Sequence, residues 1–215
     1  MPRMSSAGGQ YRLFWREFRR TFATTGAVLP SGRALCRALA SHVADPGPAQ
    51  VPRRILEVGP GTGVATEEII ARLGPHDSLD LVELNDRFVA MLHERLRREL
   101  RWQAVASRVE IHHRPVQDLA ADAKYDAIVS GLPLNNFPVE LVASIFAKLR
   151  ELAAPGATLS FFEYVAVRKA KSLVCRREER LRLAGVEQTI AAAQKQWGFD
   201  RQCVPPAWVH HFRFA

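Results

Sequence analysis

The chain has 215 residues and a mass of 24.1 kDa, enough for one domain with a real core and too little for two full ones. Apolar residues make up 47% and charged residues 24%, which excludes a disordered or collagen-like chain. Thirty Lys and Arg against 22 Asp and Glu leave a net charge of +8, so the protein should be drawn to polyanions, either nucleic acid or an anionic membrane surface.

No apolar run approaches the roughly 18 residues that a membrane-crossing helix needs, and the arginine-bearing first twenty residues hold no signal-peptide stretch. Neither an integral membrane protein nor a secreted one is expected. Cys36, Cys175 and Cys203 are odd in number and far apart. They form neither a disulfide framework nor a zinc spacing, so buried free thiols and no metal are expected.

Residues 1–10 are mostly small and polar and should fray. Residues 11–22 (YRLFWREFRRTF) place Tyr11, Phe14, Trp15, Phe18 and Phe22 on one helical face and Arg12, Arg16, Arg19 and Arg20 mainly on the other. Thr25-Gly26 breaks this helix. A second is predicted from Ser31, as N-cap, to Val43. Residues 45–52 (DPGPAQVP) read as a linker or loop.

From Arg54 the pattern becomes α/β alternation. Strands are predicted over 55–58, 79–83, 109–113, 125–130 and 157–165, with helices over 66–73, 87–102 and 139–153. A charged helical stretch and two strand-like segments, 199–204 and 208–214, complete the chain. This order predicts a seven-stranded, mostly parallel sheet with helices on both faces and a carboxyl-terminal hairpin-like pair. Residues 1–45 form a helical cap and 46–215 one structural unit.

Residues 56–63 (LEVGPGTG) leave a strand and enter a helix, the context that turns a common glycine pattern into a nucleotide-site hypothesis. Gly59 and Gly61 allow a tight turn and close ligand approach, and Gly63 allows helix and strand to pack. Glu83 ends the next strand, where a carboxylate can accept from a ribose diol. Glu57, two residues before the first glycine, would repel pyrophosphate but suits a ligand with a cationic amine.

This pattern resembles the first motif of class I S-adenosylmethionine-dependent methyltransferases. The resemblance implies their Rossmann-like fold, S-adenosylmethionine as donor and S-adenosylhomocysteine as product. It places Glu57 beside the methionine moiety, Glu83 with its neighbour Leu84 at the ribose, and Gly59, Gly61, Thr62 and Gly63 around the donor. After the third strand the family's adenine-binding acid is replaced by the segment His113-Arg114-Pro115-Val116. Adenine recognition then falls to backbone groups near Val116, or to Gln117 or Asp118.

Residues 130–137 (SGLPLNNF) end the fourth strand, which in that fold faces the donor's methyl group. Ser130 and Gly131 would line the donor, and Leu132 and Pro133 the substrate. The loop is similar to two families. In RNA adenine dimethyltransferases it reads N-L-P-Y-N, but here Gly131 and Leu134 stand where the Asn and the base-stacking Tyr would be. Nucleic acid is therefore not the expected partner. Bacterial phospholipid N-methyltransferases share a likeness at 26–35 (GAVLPSGRAL), 57–66 (EVGPGTGVAT) and 130–138 (SGLPLNNFP).

That second resemblance implies methyl transfer to the amine of phosphatidylethanolamine, towards phosphatidylcholine, by a peripheral enzyme on the inner face of the cytoplasmic membrane. Tyr11, Trp15, Arg16, Arg19 and Arg20 are the expected membrane contacts, and no obligatory protein partner is expected. Residues 168–182 add a second basic stretch. An ornithine lipid as acceptor, or an rRNA adenine dimethyltransferase-like activity, are the alternatives. Methyl transfer needs alignment and a neutral amine. Asn135 and Tyr164 are the candidate catalytic residues, with Glu163 a further proton acceptor.

Overall fold

The computed structural model describes residues 32–44, 51–122, 124–164, 177–196, 198–205 and 207–215. The helix expected over 11–22, with Tyr11, Trp15, Arg16, Arg19 and Arg20, lies outside them, as do Ser31, Cys175 and most of the second basic stretch.

Seven strands form one sheet: β1 Arg54–Val58, β2 Ser78–Glu83, β3 Val109–His113, β4 Tyr125–Ser130, β5 Ala153–Tyr164, β6 Gly198–Val204 and β7 Ala207–Arg213. Their spatial order is β3-β2-β1-β4-β5-β7-β6. β1 to β5 run parallel, and β7 is antiparallel to both β5 and β6. The order reverses between β1 and β4, so a crevice opens at their carboxyl ends, where ligands bind in open α/β sheets.

The helices are α1 Arg33–Leu39, α2 Val64–Ile70, α3 Asp86–Arg98, α4 Leu100–Gln103, α5 Val139–Leu152 and α6 Arg177–Gln196. The helices cover both faces because β1, β2 and β4 are apolar on both sides. On one face Leu141, Ile145 and Leu149 of α5 and Val186 and Ile190 of α6 pack on Leu56, Ile128, Leu159, Phe161 and Phe212. On the other, Leu35 and Leu39 of α1, Ile69 of α2, Leu92 of α3 and Trp102 of α4 pack on Ile55, Leu79, Leu81, Val129 and Phe162.

Several expected boundaries move. The helix predicted from a Ser31 cap to Val43 ends at Leu39 and continues as a 3-10 turn, Ser41–Ala44; its N-cap position is Gly32, which has no side chain to cap with. The single helix predicted over 87–102 breaks at Glu99, whose backbone is extended at φ −92° and ψ 123°. The break turns α4 inward and buries the Trp102 indole at 1% exposure. β5 begins at Ala153, not after Pro155-Gly156, because the irregular register between the Tyr125 and Ala127 pairs absorbs that dipeptide as a bulge. Cys36 is buried as expected, but Cys203 is exposed on the edge strand β6.

Candidate active site

The glycine loop leaves β1 at the crevice. Gly59, Gly61 and Gly63 have φ of 72°, 58° and 82°, a region that side chains rarely adopt. The three are spaced for different reasons. A Cβ on Gly59 would lie 2.7 Å from Leu132 Cδ2, and one on Gly63 would lie 2.7 Å from the Trp102 ring. A Cβ on Gly61 would meet nothing within 4 Å. Gly61 is thus the open side of the loop, where a ligand can approach the backbone, while its two neighbours are bare because protein packs against them.

Two residues that the sequence reading did not single out hold the loop from behind. Arg95 of α3 donates to the Thr62 carbonyl at 2.8 Å, and its guanidinium lies 4.5 Å from the Trp102 ring centroid. It also bridges Glu99 at 2.7 Å and pairs with Glu67 of α2. The one sequence signal was a lone tryptophan at the end of a basic helix. Arg95 itself gave none, since it is one of many arginines on that helix.

Glu57 is 1% exposed, enclosed between β1 and α2. Its Oε2 accepts from the Thr66 hydroxyl at 2.6 Å, and its Oε1 has no hydrogen-bond partner. Burial pushes its pKa up to about 8, helped by the nearby Glu83 charge and opposed by the Thr66 bond. The position expected beside the methionine moiety thus holds a buried carboxyl, tied to α2 through Thr66 and with one oxygen unbonded.

Glu83, at the end of β2, ties two loops together. Its Oε2 accepts from Gly61 N at 3.1 Å, and its Oε1 accepts from Leu84 N at 2.7 Å and Asn85 N at 2.8 Å. Burial raises its pKa, while these backbone bonds and the His113 charge pull it back. His113 Nε2 lies 3.2 Å from the Leu84 carbonyl and 2.9 Å from Asp86 Oδ1, so its role is to brace the turn after β2. After β3, the Val116 side chain is buried, which leaves only backbone for a ligand. Gln117 Nε2 donates to Ser144 Oγ at 3.1 Å, and its Oε1 is buried with no partner. An acceptor of this kind fits an adenine amine.

The fourth-strand loop closes over the glycine loop. Gly131 N donates to the Val58 carbonyl at 2.8 Å, and a Cβ on Gly131 would lie 2.5 Å from the Gly59 carbonyl oxygen. No other residue fits there. Ser130 is buried, and its Oγ accepts from Leu132 N at 3.4 Å. Leu132, expected to touch substrate, is buried and packs over Gly59, which seats one loop on the other. Pro133 is half-buried and Leu134 is 4% exposed. The half-buried Asn135 and the buried Phe137 each have their carbonyl bonded by Arg182 Nη1 of α6, at 2.7 and 3.0 Å.

β5 carries the last candidates. Ser130 pairs with Phe161, so Glu163 and Tyr164 project past the end of β4. Glu163 is buried and lies across from Trp208, and the backbone of Tyr164 pairs with Ala207. The Tyr164 side chain lies outside the described part of the chain.

The arrangement matches known proteins at two levels. The "Methyltransferase domain" family matches residues 55–156, a little under half of the chain. Among solved structures, the O-methyltransferase TomG from Streptomyces achromogenes, crystallised with S-adenosylmethionine, superposes with a TM-score of 0.60. That match is 19% identical and covers 88% of this chain and 82% of that one. Fold, glycine loop and family match agree on the class, an S-adenosylmethionine-dependent methyltransferase. The glycine cradle, the buried Glu83 and the orphaned Gln117 oxygen fit that donor.

Two curated relatives match over part of the chain. An ornithine lipid N-methyltransferase of Singulisphaera acidiphila is 27% identical over 148 residues, covering 69% of this chain and 74% of that protein. The ribosomal RNA small subunit methyltransferase A of Aromatoleum aromaticum is 32% identical over 111 residues, covering 50% of this chain and 35% of that protein. Among the described residues, no helix is long and apolar enough to cross a membrane.

Proposed function

We propose that the chain methylates the primary amine of a membrane aminolipid, docking on an anionic bilayer surface to reach it. Phosphatidylethanolamine is the acceptor that the sequence resemblance implies. An ornithine lipid is the specific alternative, favoured by the relative of that name. The observation that carries the lipid reading is the fourth-strand loop. Gly131 is pressed against Gly59, and Leu134 is buried where a base-binding enzyme would display a ring. Such a loop offers nothing to stack on a flipped base.

The donor supplies an electrophilic methyl group on a sulfonium. The protein's own residues orient the partners. Gly61 opens the loop to close approach, Glu83 retains acceptor capacity on Oε2 for a ribose hydroxyl, and Gln117 Oε1 can accept from an adenine amine. The packing of Gly131 on Gly59 fixes the distance between donor and acceptor loops, which is the main demand of an in-line displacement. Asn135 and Tyr164 are the substrate contacts this reading calls for. Positive charge draws the protein to anionic lipid, about 1 kcal/mol for each basic residue near the surface.

The test is transfer of labelled methyl from S-adenosylmethionine to vesicles of phosphatidylethanolamine with phosphatidylglycerol, to vesicles of ornithine lipid, and to structured RNA in parallel. Label in mono- or further methylated lipid is the expected result. Label in ornithine lipid alone would select that acceptor. Label in RNA alone would overturn the lipid reading and leave the donor site intact.

A further inference from the structure

Glu163, the further proton acceptor among the sequence candidates, forms a pair of titratable groups with His210 at the carboxyl edge of the sheet. Glu163 is 9% exposed and His210 is 3% exposed. They sit diagonally across the β5–β7 ladder, with His210 Nε2 3.4 Å from Glu163 Oε2. That is close enough for charge attraction but not aligned as a hydrogen bond, and both His210 ring nitrogens lack a hydrogen-bond partner. Leaving such a ring unsatisfied costs stability, so a core position would ordinarily be apolar. The ring plane is fixed by stacking on Phe161, with centroids 4.9 Å apart and an interplanar angle of 8°.

The pair is also placed for chemistry. Phe161 is level with Ser130, and Glu163 lies two residues further on, beyond the end of β4. It shares a face with Phe161, which packs in the same cluster as Leu134 and Phe137 of the fourth-strand loop. β5 packs against the Leu134–Asn136 turn of that loop, so Glu163 stands on the strand that borders it. Across the ladder from the pair, Arg201 and Cys203 of β6 face His210 and Trp208, and Arg182 of α6 is the charged group at the neighbouring loop. Arg201 lies 4.5 Å from the Trp208 ring centroid, and Arg182 bonds the loop carbonyls.

We infer that Glu163, positioned by His210, receives the substrate's ammonium group and takes its proton before methyl transfer. This rests on the aminolipid reading above. A primary ammonium has no lone pair to attack with, and a lipid amine is almost wholly protonated at neutral pH. The ammonium first gives one proton to the Glu163 carboxylate, leaving a neutral amine. The nitrogen–carbon bond then forms as the carbon–sulfur bond breaks, and that electron pair goes to sulfur, giving a neutral thioether and an N-methylammonium. Glu163 passes its proton to water, so each turnover releases one proton. His210 fixes the carboxylate and shares its charge.

The experiment measures kcat and KM on aminolipid vesicles from pH 6 to 9, with S-adenosylhomocysteine affinity as the check on folding. Glu163→Gln should lose about 100-fold or more in kcat, within the range of general-base deletions, with product affinity unchanged. Glu163→Asp should recover part of the loss. His210→Gln should lose about 10-fold in kcat and displace the acid limb of the pH profile, which a merely structural role would not move. Glu163→Gln within threefold of wild type at every pH, or product affinity falling in parallel with kcat, would overturn the assignment.

A readout independent of turnover separates this from failure of the lipid reading. In the enzyme loaded with S-adenosylhomocysteine, the His210 imidazole ¹⁵N resonance should move when soluble dihexanoyl phosphatidylethanolamine is added. It should not move with dihexanoyl phosphatidylglycerol, nor in Glu163→Gln with either lipid. Wild type inactive on every aminolipid would sink the proposed function alone; an unmoved His210 resonance would sink the pair's role.

Discussion

Glu57 is a carboxyl that keeps its proton at neutral pH, and the consequence is measurable. Its pKa is about 8 in the folded protein and near 4.5 once unfolded. Between those values the unfolded chain is ionised there and the folded one is not. Stability from this group is therefore full below about pH 4.5 and falls as pH rises to about 8. The slope is at most about 1.4 kcal/mol per pH unit. Glu57→Gln should remove that slope, read as the difference between variant and wild type in urea unfolding at pH 5.5 and pH 8. Gly131 makes a steric prediction. Because its missing Cβ would meet the Gly59 carbonyl oxygen at 2.5 Å, Gly131→Ala must part the two loops. Donor affinity by calorimetry should drop at least about 10-fold, the scale of a misplaced positioning element.

Arg182 is where one element controls another. A single guanidinium nitrogen ties α6 to two carbonyls of the fourth-strand loop. Bonds from a charged donor are worth about 1.5–3 kcal/mol. Arg182→Ala should therefore loosen the loop's outer half and raise KM for lipid several-fold. Donor affinity should hold, because the Gly131–Gly59 contact on the loop's inner half is independent of α6. Equal loss of both would show that the loop moves as one body. On the other face, Arg95 does the same for the glycine loop through the Thr62 carbonyl and Trp102. Both arginines act on backbone carbonyls over long sequence separations, which no local pattern encodes.

For the whole molecule the governing quantity is the charge of +8. Replacing Arg16, Arg19 and Arg20 by Glu changes it by −6 in the segment with the densest aromatic stripe. Sedimentation with vesicles rich in phosphatidylglycerol should be lost, while donor affinity stays within about twofold of wild type, as expected if the segment contacts the membrane and not the donor. Parallel loss of donor affinity would make that segment part of the core. Wild-type vesicle binding should also weaken steeply as salt rises, since surface attraction is screened within about 8 Å at physiological ionic strength.

The glycine loop, Glu83 and the parallel strands were legible because their causes are local. Positive φ needs glycine, a buried strand needs a short apolar run, and an acid ending a strand is set by position alone. The donor class followed from the same residues. What only the tertiary structure decided depends on which atoms meet across long stretches of chain. It sealed Glu57 behind α2, buried Leu132 as packing, broke the basic helix at Glu99 to seat Trp102 under Gly63, and brought Glu163 within 3.4 Å of His210. A sequence lists side chains one at a time. Burial and pairing are properties of contacts, and these contacts exist only once the sheet has brought residues 57, 131, 163 and 210 to one edge.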